Sequence, residues 1–254
     1  MAGLRKPFQG VWNIIRFNWQ FYVMAPAALV LLLVAASFAG NPYQLYVYIL
    51  CVLITISVTA SLLASFYVYD LSNLYSLNWL DELNGNDIKT MVNINAGFDE
   101  TSILLKDKFP AASFTVLDFY NPVLHTEVSI KRARKAYPPY PGTLQVNTKS
   151  LPLKDNSVDA IFAIFAAHEI RNNTERATFF TELNRALKPN GKIIVTEHLR
   201  DVPNFLVYNI GFFHFHTKRA WHNTFTSARL TIIKEIKLNP FVSTFILIKN
   251  GNPS

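Results

Sequence analysis

Apolar positions along the chain fall into two regimes. Between Phe17 and Tyr69 no residue is Lys, Arg, Asp or Glu, and the run is broken only at Gly40, Asn41 and Pro42. A run of that length exceeds one core helix and matches two membrane spans joined by a tight turn. The spans are expected over 21–39 and 46–68. Pro26 falls in the first turns of span one, where its missing N–H costs least. Beyond Tyr69 apolar and polar positions interleave. Leu71, Leu74, Leu77 and Leu80 have helical spacing, and a polar turn follows over 82–87. Strand patterns at 90–95, 114–118, 143–146, 158–166 and 192–197 then alternate with helix patterns at 100–109, 126–136 and 174–187. Such alternation predicts a parallel sheet with crossover helices. The last two strand patterns, 230–238 and 241–249, are separated only by Asn239 and Pro240, which predicts an antiparallel hairpin.

Composition sharpens the first regime. Aromatic residues collect at its edges: Trp12, Phe17, Trp19, Phe21 and Tyr22 at the start, Tyr43, Tyr46 and Tyr48 around the turn, and Phe66, Tyr67 and Tyr69 at the exit. Amphipathic rings favour the headgroup level, so these positions read as interface crossings. Arg5, Lys6 and Arg16 precede span one and the turn carries no charge. The positive-inside rule then places the N-terminus and the region after Tyr69 in the cytoplasm. The expectation is an integral protein of the inner (cytoplasmic) membrane. A signal peptide cleaved after Ser37-Phe38-Ala39 and a buried soluble hairpin are the alternatives. The single Cys51 excludes an intrachain disulfide. The net charge of +7 suits anionic lipid, and no nucleic-acid motif accompanies it. Lys131, Arg132, Arg134 and Lys135 cluster on one helix, either as a solvated face or against headgroups.

Three stretches carry a resemblance. Residues 151–162 read LPLKDNSVDAIF, residues 167–170 read AHEI, and residues 182–197 read ELNRALKPNGKIIVTE. In the last, Pro189 is expected to end a helix and Asn190-Gly191 to supply a left-handed turn before a β-branched strand. With the strand order, these stretches resemble the class I S-adenosylmethionine-dependent methyltransferases. The implied fold is α/β: a Rossmann-like, seven-stranded, mostly parallel sheet with a C-terminal antiparallel hairpin, preceded by a two-helix transmembrane hairpin. The division expected is an interfacial segment over 1–20, the hairpin over 21–69 and a methyltransferase domain over 70–254.

The resemblance implies S-adenosylmethionine as cofactor and assigns positions to it. The family's acidic residue and three glycines after the first strand align here with Asn93, Asn95, Gly97 and Asp99, and only Gly97 is kept. Asn95 tolerates positive φ. Asp99 either pairs with the cofactor ammonium or caps the following helix. Asp118 ends strand two, where a carboxylate accepts the ribose hydroxyls. Asn147 and Thr148 fall at the adenine position, and Ala167 lies at the topological switch point. Tyr75 and Trp79 either cover the cofactor or pack. Methyl transfer needs donor–acceptor alignment and, for an oxygen or carbon acceptor, removal of a proton. Candidate catalytic residues are His168, His198 and Glu197, with Glu169, Arg200 and Asp201 nearby in the pattern. No metal site is expected, because His214 and His216 lack further ligands at a defined spacing. The aromatic stretch over 205–215 reads either as a lid on a greasy acceptor pocket or as an ordinary packed helix. Together these expectations describe a methyltransferase of a small lipophilic acceptor: a quinone or phenolic lipid, a polyene or isoprenoid, or a lipid headgroup. Expected partners are that acceptor and membrane lipids, with no nucleic acid; span contacts could support a homodimer. The competing readings are a catalytically inactive membrane scaffold and a nicotinamide-dependent oxidoreductase.

Overall fold

The computed structural model describes residues 5–83, 85–124 and 127–251. The expected helix start at position 126 and both ends of the chain lie outside them. Three N-terminal helices come first: α1 (Gln9–Phe17), α2 (Trp19–Phe38) and α3 (Tyr43–Phe66). At a rise of about 1.5 Å per residue, α2 and α3 are each long enough to cross a hydrocarbon core. Their apolar side chains face outward: Leu31 is 70% and Phe38 86% exposed. That exposure rules out the buried-hairpin alternative.

The shorter α1 is amphipathic. It buries Gly10, Asn13 and Phe17 while Phe8 and Trp12 stay exposed. Its open N-terminal amides are closed from another element. Gly10 N–H donates to Asp70 Oδ1 at 2.7 Å and Val11 N–H to Asp70 Oδ2 at 2.8 Å. A Cβ at position 10 would lie 2.3 Å from Tyr69 Cβ, so only glycine permits this approach. The helix expected from Asp70 onward is absent. Tyr67–Leu71 is a π turn continuing α3, Leu77 has φ 54°, and Asn78–Leu80 is a single 3-10 turn. Asp70 is engaged on α1 and Ser72 Oγ on Val68 O, so Leu74, Leu77 and Leu80 bury through turns instead, and Leu71 stays exposed.

The rest of the chain forms β1 (Thr90–Asn95), α4 (Ser102–Lys108), β2 (Ser113–Asp118), α5 (Val128–Ala136), β3 (Leu144–Gln145), β4 (Val158–Ile164), α6 (Asn173–Ala186), β5 (Leu187–His198), α7 (Val202–Tyr208), α8 (Lys218–Ser227), β6 (Leu230–Asn239) and β7 (Val242–Lys249). The seven strands are ordered β3-β2-β1-β4-β5-β7-β6. Pairing is parallel from β3 to β5 and antiparallel for β5–β7 and β7–β6, as the Asn239-Pro240 hairpin predicts. One face buries Trp221, Phe179, Phe180 and Phe225 under α6 and α8; the other buries Met91, Phe109 and Phe162. α6 starts at Asn172, whose side chain accepts Glu175 N–H, and turns Phe179, Phe180, Leu183 and Ala186 inward.

The turn between α6 and β5 differs from expectation. Neither Asn190 nor Gly191 adopts positive φ. Instead β5 starts at Leu187, and the partners Val158↔Leu187 and Ala160↔Lys192 leave residues 188–191 as a bulge. Gly191 is needed for space: a Cβ there would meet Leu187 Cδ1 at 2.7 Å and Asp159 O at 3.0 Å.

Candidate functional site

Strand order reverses between β1 and β4, and the crevice beyond their C-terminal ends is the binding position of open α/β sheets. The loop after β1 is built on side chains. Asn93 Nδ2 donates to Thr101 Oγ1 at 3.0 Å and Ser102 Oγ at 2.8 Å. Asn95 Oδ1 accepts Gly97 N–H at 3.2 Å, and Gly97 has φ 95°. The positive φ falls on Gly97 and not on Asn95. Asp99 Oδ1 accepts Thr101 N–H and Ser102 N–H, so Asp99 does close the first turn of α4. Its Oδ2 is buried and has no hydrogen-bond partner, as are Asn93 Oδ1 and Asn95 Nδ2. Three orphaned polar atoms in one loop suit a polar ligand there.

The ribose position is differently prepared. Asp118 is buried, with Oδ1 accepting Tyr120 N–H at 2.8 Å and Oδ2 paired with Arg134 at 2.5 Å. Arg134 lies over the Tyr120 ring at 4.5 Å, and both approach Gly97. Arg134 is one-third exposed and can swing outward. Asn147 is exposed and its Oδ1 accepts Lys149 N–H and Ser150 N–H; Thr148 donates to Glu175. Asn147 is thus engaged in its own turn, and Thr148 reaches across to the first turn of α6. Tyr75 donates to Glu100 Oε2 and lines the cavity beyond the strand ends, whereas Trp79 Nε1 donates to Leu74 O.

Beyond β4 and β5 lies a cluster of charge. Ala167 is fully buried and starts a 3-10 turn, Ala167–Glu169. His168 Nδ1 lies 2.6 Å from Glu197 Oε2, and His168 N–H donates to Glu197 Oε1 at 3.1 Å. His168 Nε2 lies 3.2 Å from Glu169 Oε1, which also meets His214 Nε2 at 3.1 Å. Burial opposes charge on His168, but Glu197 and Glu169 overcome it and raise its pKa to about 10. Glu169 is moved the other way: burial opposes ionisation, yet His168 and His214 hold it well below the usual carboxylate range. His168 is therefore an imidazolium at neutral pH and not a free base. Glu197, wholly buried, positions His168 and reaches nothing else at the site.

His198 is held at both ring nitrogens. Its Nδ1 faces Phe241 O at 2.9 Å, which fixes the proton there, so Nε2 accepts from Tyr69 Oη at 2.8 Å. Its ring stacks between Phe165 at 5.1 Å and Phe215 at 4.9 Å. Burial and the charge of His168 push its pKa down to about 4. It ties the exit of α3 to the sheet. Asp201 caps α7 through Asn204 N–H, and Arg200 donates to Phe213 O. His216 accepts from buried Arg176 at 3.0 Å, away from His214.

A cavity of about 1270 Å³ joins these parts. It runs from Ala96, Phe165 and His168 at the strand ends to Ala25, Ala28 and Val58 on α2 and α3. The aromatic stretch contributes Tyr208 and Phe213 to its wall. α1 crosses beside it: Arg5 pairs with Glu100 at 2.9 Å, Tyr137 donates to Asn13, and Phe17 packs edge-on against Phe98. Phe165, which borders the cavity, has φ 51°, a left-handed conformation that a bulky residue adopts only under constraint. Sequence reasoning missed Glu127, Arg134, Tyr69 and Phe165 as site residues. Only Tyr69 carried a signal, as the last aromatic before Asp70.

Residues 93–195 match the family model described as a methyltransferase domain. Among solved structures, human N-acetylserotonin methyltransferase in complex with S-adenosylmethionine is 15% identical, with a TM-score of 0.51 over 76% of this chain and 55% of that one. N,N-8-amino-8-demethyl-D-riboflavin dimethyltransferase from Streptomyces davawensis is 9% identical, with a TM-score of 0.51 over 84% of this chain and 61% of that one. A SAM-dependent methyltransferase from Aquifex aeolicus is 17% identical, with a TM-score of 0.48 over 71% of this chain and 94% of that one. No curated protein matches the chain. The first two of these structures share the fold.

Proposed function

Because the chain carries a methyltransferase domain of the S-adenosylmethionine-dependent fold, we propose that it methylates a lipophilic acceptor reached from the bilayer through the cavity between its apolar helices and its strand ends. The observation that carries this reading is the continuity of that cavity. One end is walled by apolar side chains of α2 and α3, the other by Ala96, Phe98 and Thr101 beside the β1 loop. The cofactor, when bound, supplies a methyl group on sulfonium sulfur with its leaving group built in.

The residues present fit that cofactor. Asp99 Oδ2, Asn93 Oδ1 and Asn95 Nδ2 offer unpartnered polar atoms to its amino-acid end. Asp118 would hold the ribose once Arg134 turns away. The charged cluster at His168, Glu169 and His214 borders the cavity and would fix the polar head of the acceptor. The protein's contribution is then alignment and exclusion of water, with no free histidine acting as base. α2 and α3 would anchor the molecule, with the domain on the cytoplasmic side. Phenolic and quinol lipids, with one polar head on an apolar body, suit this geometry best.

A second reading is a membrane scaffold without activity, favoured by the Arg134–Asp118 pair that fills the ribose position. Calorimetry on the full chain in detergent separates the two. S-adenosylmethionine is expected to bind, and Asp118→Asn to weaken it about tenfold or more, the worth of a charge-assisted hydrogen bond. Transfer of a labelled methyl group into a membrane lipid extract should follow. Absence of S-adenosylmethionine binding to the wild-type chain would overturn the methyltransferase reading, and absence of NADH binding as well would leave the scaffold.

A further inference from the structure

The geometry points to a divalent transition-metal site at His168, Glu169 and His214, opening into the cavity where the acceptor is proposed to sit. These three side chains come from two separate segments, the turn after β4 and the loop after α7. Their ligating atoms lie within 4.8 Å of one another. Glu169 Oε1 stands 3.2 Å from His168 Nε2 and 3.1 Å from His214 Nε2. Two ligands on one tetrahedral zinc are separated by about 3.3 Å when each bond is about 2.0–2.1 Å, so both distances to Glu169 already match, and the two imidazole nitrogens, within 4.8 Å of each other, close around the ion.

The outer groups agree with this assignment. A metal-bound histidine usually directs its second nitrogen at a carboxylate, which fixes the ring and raises its basicity. Both histidines meet that condition: His168 Nδ1 on Glu197 at 2.6 Å, and His214 Nδ1 on Glu127 at 2.5 Å. Three carboxylates therefore surround two imidazoles. Arg171 is the opposing group. Its Nη2 lies against both ring nitrogens of His214, touching Nδ1 beside Glu127 and standing 2.7 Å from Nε2, and is 3.2 Å from Glu127 Oε1. The Arg171 side chain is 41% exposed and can leave toward solvent, and a bound cation would displace it along with the imidazolium proton of His168.

Two imidazoles and one carboxylate suit zinc and neighbouring first-row ions rather than magnesium or calcium. Three protein ligands leave a coordination position, here facing the cavity. An acceptor with a phenolic or enolic oxygen would take that position, and the ion would favour its deprotonated form. This use of the site rests on the methyl-transfer reading; the site itself does not.

The test uses the full chain in detergent, stripped with chelator and titrated with zinc chloride by calorimetry. One zinc per chain is expected, with X-ray absorption showing two imidazole nitrogens and carboxylate oxygen. Glu127→Gln should weaken binding about 10–100-fold, and Glu169→Gln and His214→Ala by more. Arg171→Ala should tighten it. Circular dichroism and a cooperative thermal unfolding transition of each variant report that the domain is folded, and S-adenosylmethionine binding is measured separately. No zinc binding by the wild-type chain, or binding unchanged in folded His214→Ala, overturns the site. Zinc binding without S-adenosylmethionine binding would instead overturn the methyltransferase reading and leave the site standing.

Discussion

The ends of β4 and β5 carry the same side chain in opposite surroundings. His168 is framed by Glu197 and Glu169, and its pKa rises to about 10. His198 is stacked between Phe165 and Phe215 with a carbonyl and a phenol at its nitrogens, and its pKa falls to about 4. His198 is buried and His168 nearly so, its side chain 12% exposed, so burial alone does not set the direction. Carboxylates within hydrogen-bonding distance outweigh desolvation at one; at the other desolvation, joined by the charge of His168, outweighs the hydrogen bonds to Phe241 O and Asn204. One histidine is thereby made a fixed charge at the cavity, and the other a neutral joint between α3 and the sheet.

The largest break in this contrast is Glu197→Ala. It leaves His168 and its backbone N–H buried beside an empty space, and should cost about 3–5 kcal/mol in urea unfolding, as for other broken buried pairs. The pH dependence of stability comes next. His198 has a folded pKa below its ordinary 6.5, so its contribution is present above pH 6.5 and is lost as pH falls through about 4. That acid limb, worth up to roughly 3 kcal/mol, should vanish in His198→Phe, which keeps the stacked ring. His168 has the opposite sign. In chelator-treated protein its contribution is complete below pH 6.5 and is lost as pH rises through about 10. Unfolding midpoints measured from pH 4 to 10 would show both limbs; a flat profile would erase the contrast. The smallest effect is Tyr69→Phe, which removes one hydrogen bond to His198 Nε2 and should cost about 1 kcal/mol.

Legibility differed across the molecule for physical reasons. The seven strands were readable because each is a local run with its own turn chemistry. The helix expected after Asp70 was misread because the Asp70 carboxylate closes α1, some 60 residues earlier in the chain. The bulge at 188–191 looked like a left-handed turn, since Asn-Gly serves both; contact with Leu187 and Asp159 O requires the glycine instead. The roles of His168, His198 and Glu197 could not be sorted, because a pKa depends on neighbours that the chain supplies from elsewhere. His214 looked isolated because Glu169 and His168 lie 45 and 46 residues before it.

Sequence alone therefore determined what repeats locally: two charge-free helices, the alternation that builds the sheet, its closing hairpin and the Gly97–Asp118 spacing after β1. Tertiary structure decided what requires distant groups to meet. It laid α1 across Asp70 and Glu100, seated Arg134 on Asp118, opened a cavity from the strand ends to α2 and α3, and gathered two histidines around Glu169. Periodicity is a property of neighbours along the chain; charge, burial and coordination are properties of neighbours in space.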